Sequence, residues 1–287
     1  FDRIDVQRLR LYTDLGKTVA SGRGAVRAWL DIERGRAVGG TADVALADVQ
    51  ATLGERLEPL VLPSVQGRLG GRALAGGFEF HTQALAFVTD DGLRWPGGNV
   101  RLKYSDGAGR PGQAQGELNA DHMDLAALAR IAQRLPLGDK LHQALQSYAP
   151  KGLVQSLQAS WQGPPEALRR YQARARVAGL ELGAVSAPLP GAPGPGNGAL
   201  QVASPGLRGA TIELEMTQAG GKASVAIDSG ALLLPGIFED PWLPLERLRS
   251  AVRWQLQGQQ VAVQVGETQF ANSDAEGTLR ATWHTSD

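Results

Sequence analysis

The sequence contains no cysteine, and that single absence removes disulfides, thiolate metal sites and cysteine nucleophiles together. Aromatic residues make up only 6%. Charge of one sign is missing too: 29 Lys and Arg are balanced by 29 Asp and Glu, so no long-range field draws a polyanion and nucleic acid is not expected as a partner. No stretch approaches the roughly 20 consecutive apolar residues of a membrane-spanning helix, and no signal-like start is present. The chain opens on Phe1-Asp2-Arg3 without a Met. It therefore reads as a piece of something longer, with any anchor or export signal outside it.

Glycine and proline are plentiful, at 37 and 16 of 287 residues, which favours many short strands joined by turns. The C-terminal third shows this best. Ile212, Leu214 and Met216 alternate with Glu213 and Glu215 at the period of a half-buried strand. If Gly220-Gly221 is the centre of the following turn, Met216 faces Val225 and Leu214 faces Ile227. A second hairpin centred on Gly258-Gln259 pairs Leu256 with Val261, Trp254 with Val263 and Val252 with Val265, leaving Arg253, Gln255, Ala262 and Gln264 on the other face. Past Gly266 the apolar positions move from odd numbers to even ones, Thr268 and Phe270, as a β-bulge would produce. Leu279–Trp283 reads as one more strand.

The first 120 residues repeat the texture at Val44–Leu46, Phe78–Phe80, Leu85–Phe87 and Val100–Leu102, with turns at Asp91-Gly92 and Pro96-Gly97-Gly98. Helix is expected in one region, 124–148. Asp124 is a candidate N-cap ahead of Leu125, Leu128, Ile131 and Ala132, and a second helix over 139–148 carries Leu141, Leu145 and Tyr148 before Pro150 stops it. The segments 57–69 and 242–256, with 187–200 as a possible third copy, share a Pro- and Leu-rich texture. They read as irregular crossings over a sheet end, 233–247 among them, where a missing N–H does no harm.

Candidate chemistry is sparse. Asp121-His122-Met123-Asp124 is the densest group, but neighbours in a strand point to opposite faces, and Asp124 suits a helix cap. His81, His142 and His284 stand alone without metal-binding spacing. Residues 107–112 match GxGxxG, yet Pro111 and the strand-like residues after it do not make a strand-to-helix phosphate loop. Gly16-Lys17-Thr18 lacks the upstream glycine of a P-loop. Arg169, Arg170, Arg174 and Arg176 lie opposite Tyr171, Ala173, Ala175 and Val177, as a solvated outer face or as a rim for anionic headgroups. No metal or cofactor is called for. What remains is an oily sheet face that needs a cover: a second sheet, as in a sandwich, or a groove with a ligand. An enzyme, with Asp121 or Glu239 and Asp240 as carboxylates, and a partner-binding scaffold are the rival classes.

The run "LLLPGIFEDPWLPLERLRSAVRWQLQG" followed by "FANSDAEGTL" resembles the AsmA-like envelope proteins of the YhdP branch. The matching residues are Pro235, Ile237, Phe238, Pro241, Pro244, Leu245, Trp254, Asn272, Asp274, Ala275 and Gly277. "MDLAALARIAQRLPL", "YAPKGLVQSLQASWQGP", "YQARARVAGLEL" and "GLRWPGGNVRL" are similar as well, so the likeness covers most of the chain; the Pro/Gly-rich 187–198 departs from it. The resemblance implies a mainly β protein, a long curved antiparallel sheet forming an open apolar groove, with helices at about 124–148. It implies no catalytic residue. It further implies the periplasmic portion of a protein anchored in the inner membrane of a Gram-negative cell by a segment outside this chain, with phospholipid as the partner. On this reading 1–120 and 150–287 are groove segments around a helical insert at 121–149. Ile212, Leu214, Met216, Val225, Ile227, Val252, Trp254, Leu256, Val261, Val263 and Val265 are the expected lipid-facing residues.

Overall fold

The structure, a computed structural model, describes residues 4–5, 19–54, 57–107, 113–135, 137–165, 167–186, 203–236, 239–258 and 260–285. In chain order the strands are β1 (Ile4–Asp5), β2 (Val19–Glu33), β3 (Arg36–Ala51), β4 (Leu60–Leu74), β5 (Gly77–Val88), β6 (Arg94–Trp95), β7 (Asn99–Ser105), β8 (Gln115–Asp121) and β9 (Met123–Asp124). They continue with β10 (Lys151–Gln162), β11 (Arg170–Leu182), β12 (Val185–Ser186), β13 (Ala203–Ser204), β14 (Gly206–Thr217), β15 (Gly220–Leu233), β16 (Trp242–Gln257), β17 (Gln260–Ala271) and β18 (Glu276–His284). Two helices, α1 (Leu125–Ile131) and α2 (Asp139–Tyr148), fall where sequence spacing predicts them. Asp124 caps α1 by accepting from the Ala127 N–H at 2.8 Å, so its carboxylate meets an N–H that the helix itself leaves unpaired.

The protein is mainly β. A 16-stranded antiparallel sheet runs in the order β1-β2-β3-β4-β5-β7-β8-β10-β11-β14-β15-β16-β17-β18, with β6 and β9 on side branches and β12-β13 apart. It is open: among the described residues its end strands do not pair with each other. Nearly every strand pairs with its chain neighbour, so the sheet is a meander, and its contacts fall into two compact units. Unit 1 is 1–138 with 154–175, and unit 2 is 139–153 with 176–287. Within each unit, tight turns such as Arg34-Gly35, Ala75-Gly76 and Gln218-Ala219 lie along one margin. The connections that hold the helices, and those that lead into β4 and β16, lie along the other, while the β7–β8 and β10–β11 connections lie with the tight turns.

The two units share one construction. In unit 1, Leu46, Val65 and Phe87 pair in a row across β3, β4 and β5, and in unit 2 Ile227, Leu248 and Phe270 do so across β15, β16 and β17. Two residues past Leu46, Asp48 has φ 54°, and two past Ile227, Ser229 has φ 59°. Buried Leu62 and Leu245 each stand three residues ahead of the row. An extra residue bulges β5 opposite Gln66–Arg68 and β17 opposite Arg249–Val252, the latter where the shift from odd to even positions predicts it.

Two expectations are corrected. Met216 pairs with Gly221 and Leu214 with Ala223, while Ile227 pairs with Ala210, because the turn is Gln218-Ala219 and both glycines belong to β15. A Cβ on Gly220 would overlap the Trp254 carbonyl of β16, so glycine serves close strand approach here rather than the turn. The offset is four residues, an even number, so the apolar residues keep their common face. The second correction concerns the crossings. Residues 233–247 are not irregular throughout: β15 reaches Leu233, β16 begins at Trp242, and Leu234 N–H to Pro241 O, at 2.7 Å, closes the loop between them. Likewise Leu60–Pro63 is the start of β4. Both segments pair on one side only, since β5 joins β4 from Ser64 and β17 joins β16 from Arg247. A proline whose nitrogen faces the free side breaks no ladder bond. The possible third copy at 187–200, Ile237 and Phe238 lie outside the described residues.

Candidate functional site

Because Cβ atoms alternate across a strand, paired rows across a sheet reveal what each face presents. In unit 1 the row Leu30–Gly40–Gly71–Phe80–Leu102–Leu118–Ala159 crosses seven strands, from β2 to β10. Beside it run Ala28–Ala42–Leu69–Thr82–Val100–Ala120–Leu157 and Ala73–Phe78–Tyr104–Gly116–Trp161. These rows are apolar almost without exception. The intervening rows, on the opposite face, read Arg72–Glu79–Lys103–Glu117–Ser160 and Arg27–Asp43–Arg68–Gln83.

The polar face is knit by ion pairs between neighbouring strands, including Arg68 with Asp43 at 2.6 Å and Arg101 with Glu79 at 3.7 Å. The hydrogen bonds from Arg68 hold the Asp43 carboxyl below the usual carboxylate range. On the apolar face, the Trp161 ring lies flat across Gly116, where a Cβ would overlap it. Trp254 lies on Gly221 in the same manner. Glycine on one strand and an aromatic on the next thus keep the face smooth.

In unit 2 the eleven sequence-derived residues come to one face of β14, β15, β16 and β17. Leu214, Val252 and Val265 belong to one row, Met216, Trp254 and Val263 to the next, and Ile212 pairs with Val225 and Leu256 with Val261. Trp283 and Ala281 of β18 extend two of these rows. Most of the eleven are half-buried, while Arg253, Gln255, Ala262 and Gln264 are exposed on the other side. Ile227 differs. It is 0% exposed and belongs to the core. The apolar face of unit 1 was not singled out in the sequence, although the alternation at Phe78–Phe80 and Val100–Leu102 carries its signal.

The candidate chemical groups do not converge. Asp121 accepts from Asn99 Nδ2 at 2.8 Å and meets His122 Nδ1 at 2.9 Å on the exposed surface, while Asp124 is engaged as a cap. Asp240 accepts from the Trp242 N–H at 3.0 Å, a local turn bond, and Glu239 is exposed beside it. Among the described residues no three His, Asp or Glu side chains gather as metal ligands. Ala108–Gly112 of the GxGxxG match, and Gly16-Lys17-Thr18, lie outside the described residues. Arg170, Arg174 and Arg176 are exposed opposite half-buried Tyr171, Ala173, Ala175 and Val177, and Arg176 pairs with Glu213. A hollow of about 520 Å³ over β2–β6 is lined by Arg23, Ala45, Ala47, Ser64, Gln66 and Arg94 among others, with no Asp, Glu or His in its lining. It offers no acid–base pair. No helix among the described residues is long and apolar enough to cross a membrane.

An open meander with one apolar and one ion-paired face is the geometry that the sequence resemblance implies, and comparison with known families agrees. The YhdP protein family model matches residues 1–285. The chain belongs to the YhdP family. The family assignment supports an AsmA-like envelope protein. No curated protein and no solved structure matches it.

Proposed function

We propose that this YhdP-family chain is a non-enzymatic segment of a periplasm-spanning protein, and that its apolar face carries phospholipid acyl chains between the inner and outer membranes. The observation that supports this most is the surplus of apolar face. Row after row is oily on one side, yet α1 and α2 are short, and large residues such as Leu30 and Phe80 remain exposed. Drawing an acyl chain of about 16 carbons fully into water costs on the order of 12 kcal/mol, at roughly 0.8 per methylene. An uninterrupted apolar track removes that barrier. Ile212, Leu214, Met216, Val225, Val252, Trp254, Leu256, Val261, Val263 and Val265 are the track of unit 2, with Ile227, buried farther along the same face, as support. An inner-membrane anchor outside this chain completes the reading.

The test is gentle purification from a cell envelope, solvent extraction and mass spectrometry. Wild type should bring phospholipid with it. Val263→Asp places a carboxylate against chains that cannot solvate it and should deplete that lipid, whereas Arg253→Asp, one strand away on the polar face, should not. Wild-type protein free of lipid, or equal behaviour of the two variants, would overturn the reading in favour of a plain scaffold.

A further inference from the structure

The apolar face of unit 1 is not equally open along its strands. Toward the long connections it is sealed: Ala127 and Ile131 of α1 are buried in one cluster with Trp95, and Phe87 packs against it. Toward the tight turns it is bare, with Leu30 67%, Ile32 65%, Phe78 44% and Phe80 40% exposed. An amphipathic ligand lying on this face can send its polar end out at one margin only. That margin is charged. The β2–β3 turn, Arg34-Gly35 at φ 51° and 77°, places Arg34 just past Ile32 and Glu33, and Arg36 opposite Glu33 on the polar side of the same hairpin end. Neither arginine makes an ion pair among the described residues, whereas Arg68 and Arg72 of the next strand but one are paired with Asp43 and Glu33.

We propose that a phospholipid lies on unit 1 with its chains directed toward α1 and its phosphate over the β2–β3 turn, where Arg34 and Arg36 bind it. This rests on the lipid-carrying reading and adds to it an orientation and a preference for anionic headgroups. Each exposed guanidinium beside a phosphate contributes on the order of fivefold in occupancy, and the effect weakens with salt. Exposed Leu30 and Ile32 supply the adjoining apolar seat, so phosphate and first methylenes are met at the end of one hairpin. A protein strand docking on the same face would have no need of a charged turn at its open margin.

The test loads the full chain with two phosphatidylglycerol probes, one bearing a diazirine on the headgroup and one bearing it at the end of an acyl chain. After irradiation, labelled peptides are mapped by mass spectrometry. The headgroup probe should mark the 30–36 region at least fivefold over 125–131, and the chain-end probe should show the reverse preference. Arg34→Glu with Arg36→Glu should lower loading about 25-fold or more, while Arg94→Glu, a charge reversal at the sealed margin, should leave it unchanged. Headgroup label on α1, label spread evenly, or equal loading of the two variants would overturn the proposal while leaving lipid carriage standing. If wild type takes up neither probe, no peptide is labelled at all, and that distinct result removes lipid carriage and this orientation together.

Discussion

Replacing Ile227 by Ala should be among the most costly changes in unit 2, and its magnitude follows from where the side chain sits. Ile227 is 0% exposed between Ala210, also 0%, and Leu248, 8%. Its Cγ2 lies over Gly230, where an added Cβ would stand 2.5 Å away. Alanine removes three carbons, which at roughly 0.8 kcal/mol each is about 2.4 kcal/mol of lost transfer free energy. The cavity left behind adds to this because glycine and alanine on its walls have no side chain with which to fill it. A total of about 3–4 kcal/mol results, within the ordinary range for large-to-small changes in a core. Val263→Ala is the control on the same face. It removes fewer carbons from a half-buried site and should cost roughly 1 kcal/mol or less. Urea unfolding at unchanged slope gives both values directly. If Ile227→Ala costs no more than Val263→Ala, the row Ala210–Ile227–Leu248–Phe270 is not the packed support that the argument requires.

Gly116→Ala should lift the Trp161 ring off the sheet, costing about 1–3 kcal/mol and shifting the fluorescence of that tryptophan; unchanged emission would refute the contact. Asp124→Ala should destabilise α1 by about 1 kcal/mol, measured as faster amide exchange at Ala127, while Asp124→Asn should retain most of the protection. Asp43 should titrate below the usual carboxylate range by NMR, chiefly through its hydrogen bonds from Arg68. A depressed folded pKa means that its contribution to stability is complete above the unfolded value and is lost as pH falls through the folded one. Arg68→Ala should therefore move the Asp43 midpoint upward, and an unmoved midpoint would dismiss the ion pair as its cause.

The register of the β16–β17 hairpin was legible because only one register pairs Leu256, Trp254 and Val252 one-to-one with Val261, Val263 and Val265 across a tight turn. The β14–β15 register was not, since Gly220-Gly221 resembles a turn and its real duty, passing close to Trp254 on β16, depends on a strand more than thirty residues away in sequence. The prolines misled for a related reason. Pro63 and Pro244 can sit inside strands because a third strand has not yet joined there, and the place where β5 or β17 begins pairing is not encoded in the proline's neighbours.

Period-2 alternation and the abundance of glycine and proline were enough to indicate from sequence alone that this is a β protein with one oily face. Local spacing decides which residues share a face, since that depends only on parity along each strand. Parity cannot say what covers the face. Ile227 and Val263 carry the same sequence signal, yet one is sealed in the core and the other half-open, because burial depends on which neighbouring strands and connections lie over each row. The sealing of Phe87 and Trp95 beneath α1, and the exposure of Leu30 and Phe80 at the other margin, were likewise decided only when the chain brought segments dozens of residues apart onto the same strip of sheet.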